Sequence, residues 1–241
     1  MRLTRSGACA GVALALGAML LTAPAGAASL TVKSSGFKSG HAIPGKYAFC
    51  VPAAQGHVGP GDNINPQITW SKGPKGTKSY AVLVVDPDVP VNLDDMNKEG
   101  KSFAVNVKRR PFYHWVVTDI SADAMEIGEG VDSNARVVHG KPTGPGKVGV
   151  KGANSYGEVL ASNEQMKGTY GGYDGPCPPW NDLRVHHYHF TVYALNVASL
   201  GLTGNFTGPD VEKAMKGHVL AKGEIVGEYS LNPPVAAKLK K

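Results

Sequence analysis

Residues 79–85, SYAVLVV, form an unbroken apolar and β-branched run that ends one residue short of Pro87. A run this short, bounded by turn formers, suits a strand buried on both faces. Such a strand needs apolar cover on two sides, which excludes a one-layer fold. Five further stretches read as strands: SLTVKS (29–34), QITW (67–70), YHWVVTDI (113–120), HHYHFTVYAL (186–195) and GEIVGEYSL (223–231). The 31 glycines and 17 prolines among 241 residues fit many strands joined by turns. One helix is expected over 209–221, where Val211, Ala214, Met215 and Val219 recur at helical spacing. Thr207 or Gly208 would cap it, with Pro209 and Asp210 in its first turn. Long glycine-rich connections at 133–158 and 163–181 are where function is expected.

The first 27 residues stand apart. Arg2 and Arg5 precede an apolar stretch from Gly11 to Leu21, and Ala25-Gly26-Ala27 offers a small-x-small cleavage pattern. This is the shape of a secretory signal peptide, so export to the periplasm or outside the cell is expected. One domain over 28–236 and a basic tail over 237–241 would follow. Removing Arg2 and Arg5 from the 25 basic residues leaves 23 against 19 acidic ones, a net of +4. That charge is mild and dispersed, which argues against a nucleic-acid partner. Cys50 and Cys177 lie beyond the leader. An oxidising compartment permits a disulfide between them, and free buried thiols are the alternative.

No phosphate-loop lysine motif, HExxH, CxxC or GxSxG occurs. GPGKVG (144–149) matches a dinucleotide fingerprint only in letters, because no strand and helix flank it. Three clusters remain. In VVDPDVP (84–90) a buried strand is expected to end with Asp86 and Asp88 in a turn shaped by Pro87 and Pro90. His114 begins an apolar strand. In HHYHFTVYAL, alternation puts His186, Tyr188, Phe190 and Val192 on one face, with His187 and His189 on the other. That split disfavours a metal site, which needs three or four converging ligands; no metal or other cofactor is expected.

Taken in order, NINPQITW, SYAVLVVDPDVP, HWVVTDI, GGYDGPCPP, HHYHFTVYALN and GHVLAKGEIVGEY resemble the phosphatidylethanolamine-binding protein family, in its bacterial Raf-kinase-inhibitor-protein-like branch. The likeness runs from about residue 63 to 230. It implies a Greek-key β-sandwich with a few short peripheral helices, and a small pocket for phosphate-type anions such as the phosphoethanolamine head group. It implies that Asp86, Asp88, Pro90, His114, Gly175, Pro178, His186 and Tyr188 surround that pocket, and that the Val89–Pro90 peptide is cis. On this reading GPCPP holds one rim rigid, while glycine-turn N–H groups and the imidazoles of His114 and His186 donate to phosphate oxygens. Asp86 and Asp88 would accept from the imidazoles or from a ligand ammonium. Binding would need no arginine or lysine and would strengthen as the histidines protonate. Arg109, Arg110 and Trp180 are expected near the mouth.

The resulting expectation is an exported, non-catalytic binding protein for phosphorylated small molecules or phospholipid head groups, with peripheral membrane contact at most. Two alternatives stand beside it. One is a modulator that inhibits an extracytoplasmic kinase or serine carboxypeptidase through its loops. The other is a hydrolase using His114 or His186, which no nucleophile motif accompanies. A homodimer is left open.

Overall fold

In the computed structural model, residues 28–241 are described; the leader expected over 1–27 lies outside them. The N-terminal strands are short: β1 (Ala28–Ser29), β2 (Val32–Lys33), β3 (His41–Ala42), β4 (Cys50–Pro52), β5 (Val58–Pro60) and β6 (Ile68–Trp70). Two long strands follow, β7 (Ser79–Pro90) and β8 (Arg109–Ser121). The next stretch holds β9 (Glu126–Ile127), β10 (Gly140–Lys141), β11 (Gly144–Pro145), β12 (Val150–Lys151), α1 (Tyr156–Val159) and β13 (Thr169–Tyr170). The chain ends with β14 (His186–Leu195), α2 (Gly208–Ala214), β15 (Val219–Tyr229) and α3 (Pro233–Ala236).

The main sheet has the order β1-β15-β14-β7-β8-β12-β11, with β3 also on β15. Strand β7 pairs with β8, β8 with β12, and β14 returns to lie antiparallel to β7 on its other side. That is the fourth-strand return of a Greek key. The residues of β7 divide between its two faces. Tyr80, Val82 and Val84 join the larger core, with Ile68 and Trp70 of β6 and Ile127 of β9. The small sheet β2-β6-β9 therefore covers that face, with the Trp70 ring edge-on to Tyr80 at 5.4 Å. Ala81 and Leu83 point the other way, into a second core closed by Val211 and Met215 beside α2. The mainly β, two-layer expectation holds, with short helices at the periphery.

Three local expectations change. The helix read over 209–221 spans only Gly208–Ala214; a turn follows in which Gly217 takes a φ of 80°, and Val219 already pairs in β15. Its capping is as expected, with Thr207 and Asp210 forming a capping box. Strand β7 does not end at Asp86 but runs to Pro90. No cis peptide occurs among the described residues, so Val89–Pro90 is trans. Both residues stay in the ladder, opposite Arg110 and Arg109, where the chain must remain extended.

Candidate functional site

Two irregularities of the β7–β8 ladder open one end of the sandwich. Val84 pairs with Trp115 and Val85 with Tyr113, so His114 is the extra residue of a bulge. Asp86 pairs with Phe112 and Val89 with Arg110, which makes a second bulge around Pro87 and Asp88. The β14–β7 ladder stops at His189–Val85, so the start of β14 separates from β7. Side chains of Asp86, His114 and Tyr188 meet at this gap and line a cavity of about 200 Å³. Its walls include Phe49, Val89, Leu93, Phe112 and Leu160, with Pro178 and Pro179 on one side.

Behind the cavity, buried charges form a chain. Asp86 is 1% exposed; its Oδ1 accepts from the Asp88 N–H at 2.7 Å and its Oδ2 from His186 Nδ1 at 2.6 Å. His186 Nε2 donates to Asp182 at 3.1 Å, and Asp182 takes two bonds from the Arg109 guanidinium. Burial opposes charge on His186, yet the two flanking carboxylates overcome it and push its pKa up to about 9. Burial likewise opposes charge on Asp182, but His186 and Arg109 hold it below its ordinary range. Two anions and two cations balance here. Asp88 forms a separate unit with His187 Nδ1 at 2.7 Å and Arg184 Nε at 2.6 Å. These partners hold its pKa low against the burial that would raise it.

His114 differs from His186. Its Nδ1–H donates to the Asp174 carbonyl at 2.8 Å, and its own carbonyl, freed by the bulge, accepts from the Asp174 N–H at 2.9 Å. Burial lowers its pKa to about 4, against the pull of Asp86, so it is a neutral imidazole at ordinary pH. The Asp174 carboxylate is itself buried and meets Lys141 at 3.0 Å and the amides of Asn63 and Asn154 at 2.7 Å. Burial raises its pKa despite these partners.

Of the eight residues expected around the pocket, Asp86, His114, Pro178 and Tyr188 line it. Asp88, Pro90, Gly175 and His186 do not. His186 is fully buried behind Asp86 with both nitrogens engaged, so it cannot donate to a ligand. The Gly175 N–H is taken by Asn63 Oδ1 at 2.8 Å, and its Cα faces the Tyr47 carbonyl so closely that a Cβ would lie 1.9 Å away. His114, with Nδ1 committed and Nε2 unprotonated, accepts rather than donates. Arg109 is absorbed by Asp182, and Arg110 reaches Glu158 at 2.8 Å, so neither is at the mouth of this cavity. Trp180 stacks on His57 at 3.9 Å rather than facing the cavity. Cys50 and Cys177 are disulfide-bonded, and both border the cavity.

Arg136 was not anticipated. It lines the cavity with its guanidinium 4.5 Å from the Phe49 ring centroid. Among the described residues it has no carboxylate partner, and its Nε is buried without a hydrogen bond. The Tyr188 hydroxyl, on a side chain 1% exposed, is also unbonded. Only the length of the 133–158 connection pointed to a functional residue there, because no motif surrounds Arg136. Asp182 was more legible, standing four residues before His186.

A sandwich with a small cavity at one end, walled by apolar groups and holding a few convergent polar ones, has the architecture of a binding protein. The family described as phosphatidylethanolamine-binding protein matches residues 33–230, and the chain belongs to it. A UPF0098 protein of Aquifex aeolicus is 34% identical over 206 residues, covering 85% of this chain and 91% of that protein. The UPF0098 protein YbcL of Escherichia coli is 30% identical over 211 residues, covering 88% and 93%. The crystal structure of E. coli YbcL, described as a new member of the mammalian family, superposes with a TM-score of 0.60 at 27% identity, covering 84% of this chain and 99% of that one. A Chlamydia trachomatis structure described as a homologue of the family gives a TM-score of 0.56 at 26% identity, with coverages of 84% and 97%.

Proposed function

We propose that the chain is an exported, non-catalytic binding protein whose cavity takes a phosphate-type anion or a phosphorylated head group such as phosphoethanolamine. One observation carries this reading: Arg136 is a cation at the cavity with no carboxylate partner among the described residues, while the neighbouring buried charges are already matched. An incoming anion supplies the missing partner, and the apolar walls strengthen that attraction by excluding water. The unbonded Tyr188 hydroxyl adds a donor, and the Asp86 oxygens, each holding one hydrogen bond, keep a lone pair for a ligand ammonium. Export is supported by the leader pattern over 1–27 and by the Cys50–Cys177 bond, which suits an oxidising compartment.

Calorimetric titration with phosphoethanolamine tests this. Saturable binding is expected, weakened roughly 10- to 100-fold in Arg136→Met, the range for losing a hydrogen bond to a charged group. The phosphorus NMR spectrum of the ligand should stay unchanged on long incubation. Absence of binding, or binding indifferent to Arg136→Met, would sink the anion pocket, and turnover would sink its non-catalytic character.

A further inference from the structure

We infer that the cavity selects ligands that bring their own proton donor beside the anionic group, and that His114 Nε2 is the specificity-determining acceptor. The inference rests on the anion-pocket reading and deepens it. A carbonyl only accepts, so the 2.8 Å contact to the Asp174 carbonyl requires the hydrogen of His114 to sit on Nδ1. A neutral ring with Nδ1–H presents a lone pair at Nε2; the Asp174 carbonyl is its well-formed hydrogen-bond partner among the described residues, and the nearby Gly175 backbone adds a weaker pull toward protonation that burial outweighs. Burial keeps the ring neutral through ordinary pH.

The charged and titratable groups facing His114 agree with this. On one side are Asp86, with His186 behind it; on another is the Asp174 backbone, whose carboxylate is tied to Lys141. The rings of Tyr156 and Tyr188 lie edge-on at 5.6 and 5.0 Å. The Tyr156 hydroxyl is already spent on the Gly175 carbonyl, whereas that of Tyr188 is free. Near His114 the lining residues thus include two with donors, Arg136 and Tyr188, and two with acceptors, Asp86 and His114 itself, while Asn97 stands at the wall with its Oδ1 held by the Trp180 N–H. An oxyanion without hydrogen satisfies the donors but sets its lone pairs against both acceptors, a repulsive contact among largely buried groups. An oxyanion with an O–H, or one beside an ammonium, satisfies all four.

Phosphate and sulfate separate the two cases. At about pH 8 both are mainly dianions of similar size, but only phosphate keeps a hydrogen. A phosphate monoester such as methyl phosphate keeps its hydrogen only below its second pKa of about 6. Titrations of the chain lacking residues 1–27 with inorganic phosphate, sulfate and methyl phosphate therefore read the selection directly.

Phosphate is expected to bind at about pH 8 at least tenfold tighter than sulfate, a difference of about 1.4 kcal/mol. Methyl phosphate should weaken as the pH rises through about 6. His114→Phe, which keeps the aromatic packing but removes the acceptor, should bring phosphate and sulfate within about threefold of each other. His114→Gln, whose carbonyl can accept, should retain part of the preference. Equal binding of phosphate and sulfate by the unmodified protein would overturn the selection and leave the anion pocket standing. Failure of phosphate, methyl phosphate and phosphoethanolamine alike would overturn both. An unchanged preference in His114→Phe would remove His114 from the role.

Discussion

At the scale of single residues, the site depends on groups whose alternatives are sterically or electrostatically closed. Gly175 is one. A methyl group there would lie 1.9 Å from the Tyr47 carbonyl and 2.8 Å from the Tyr173 hydroxyl, so backbone must move. Gly175→Ala is expected to cost about 2–3 kcal/mol of stability, as overpacking does, and to weaken ligand binding by displacing the Pro176–Pro179 rim. Urea denaturation beside a phosphoethanolamine titration checks both effects. Asp182 is another. It answers Arg109 and His186 together, and Asp182→Asn leaves two buried cations facing the single carboxylate of Asp86. Removing one member of such a buried set should destabilise by about 3–5 kcal/mol. A loss below about 1 kcal/mol in denaturant titration would show that water reaches the cluster and screens it.

At the scale of elements, the cavity is a product of broken regularity. Had β7 and β8 paired in register throughout, His114 would follow simple alternation and its carbonyl would serve the ladder instead of Asp174. The wall opposite is held by the disulfide, which ties Cys50 of β4 to the proline-rich segment across a sequence separation of 127. Closing so long a loop stabilises by about 4–5 kcal/mol in the chain-entropy view. Two backbone bonds to the Pro176 carbonyl, from Phe49 at 2.9 Å and Cys50 at 3.1 Å, support the same junction. A dithiol reductant, or the double variant Cys50→Ser and Cys177→Ser, is expected to lower the thermal midpoint and weaken phosphoethanolamine binding. Unchanged binding after complete reduction would mean that prolines and backbone bonds alone hold the rim.

At the scale of the whole molecule, the two buried histidines bend the stability curve in opposite directions. His114 titrates near 6.5 when exposed but near 4 in the fold, so the unfolded chain binds more protons between those values. Its contribution is present above pH 6.5 and is lost as the pH falls toward 4. His186 holds its proton to about 9 in the fold, so its contribution is full below 6.5 and disappears as the pH rises through 9. Each limb is on the order of 3 kcal/mol. Below about pH 4, protonation of Asp88 and Asp182, both held low by their partners, adds to the acid loss. Urea midpoints measured across pH should therefore peak near 6.5, and His114→Gln should flatten the limb between 4 and 6.5. A profile flat from 4 to 9 would refute both histidine environments. Neither histidine changes charge between pH 6 and 8, so any pH dependence of phosphoethanolamine binding in that range is expected to follow the ligand's own ionisation, which titration at pH 6 and 8 checks.

How much of this was legible in the sequence follows from the range of the interactions involved. Alternation along β14 places His186, Tyr188, Phe190 and Val192 inward, and the unbroken run at 79–85 already demands two covering layers, because side-chain direction is set by the backbone one residue at a time. The capping of α2 is equally local. The family motifs brought Asp86, His114, Pro178 and Tyr188 to one cavity. Other features required the folded chain. The bulge at His114 depends on register between two strands, and the helix at 209–221 yields after Ala214 because Val219 gains a partner in β14. Arg136 becomes a site residue only because its loop folds over Phe49. His186 is withdrawn from the cavity because Asp182 and Asp86 close on it from two sides. Local sequence determined which residue types face inward; contacts between residues distant in the chain decided their partners, and with them which histidine is charged and which stays neutral.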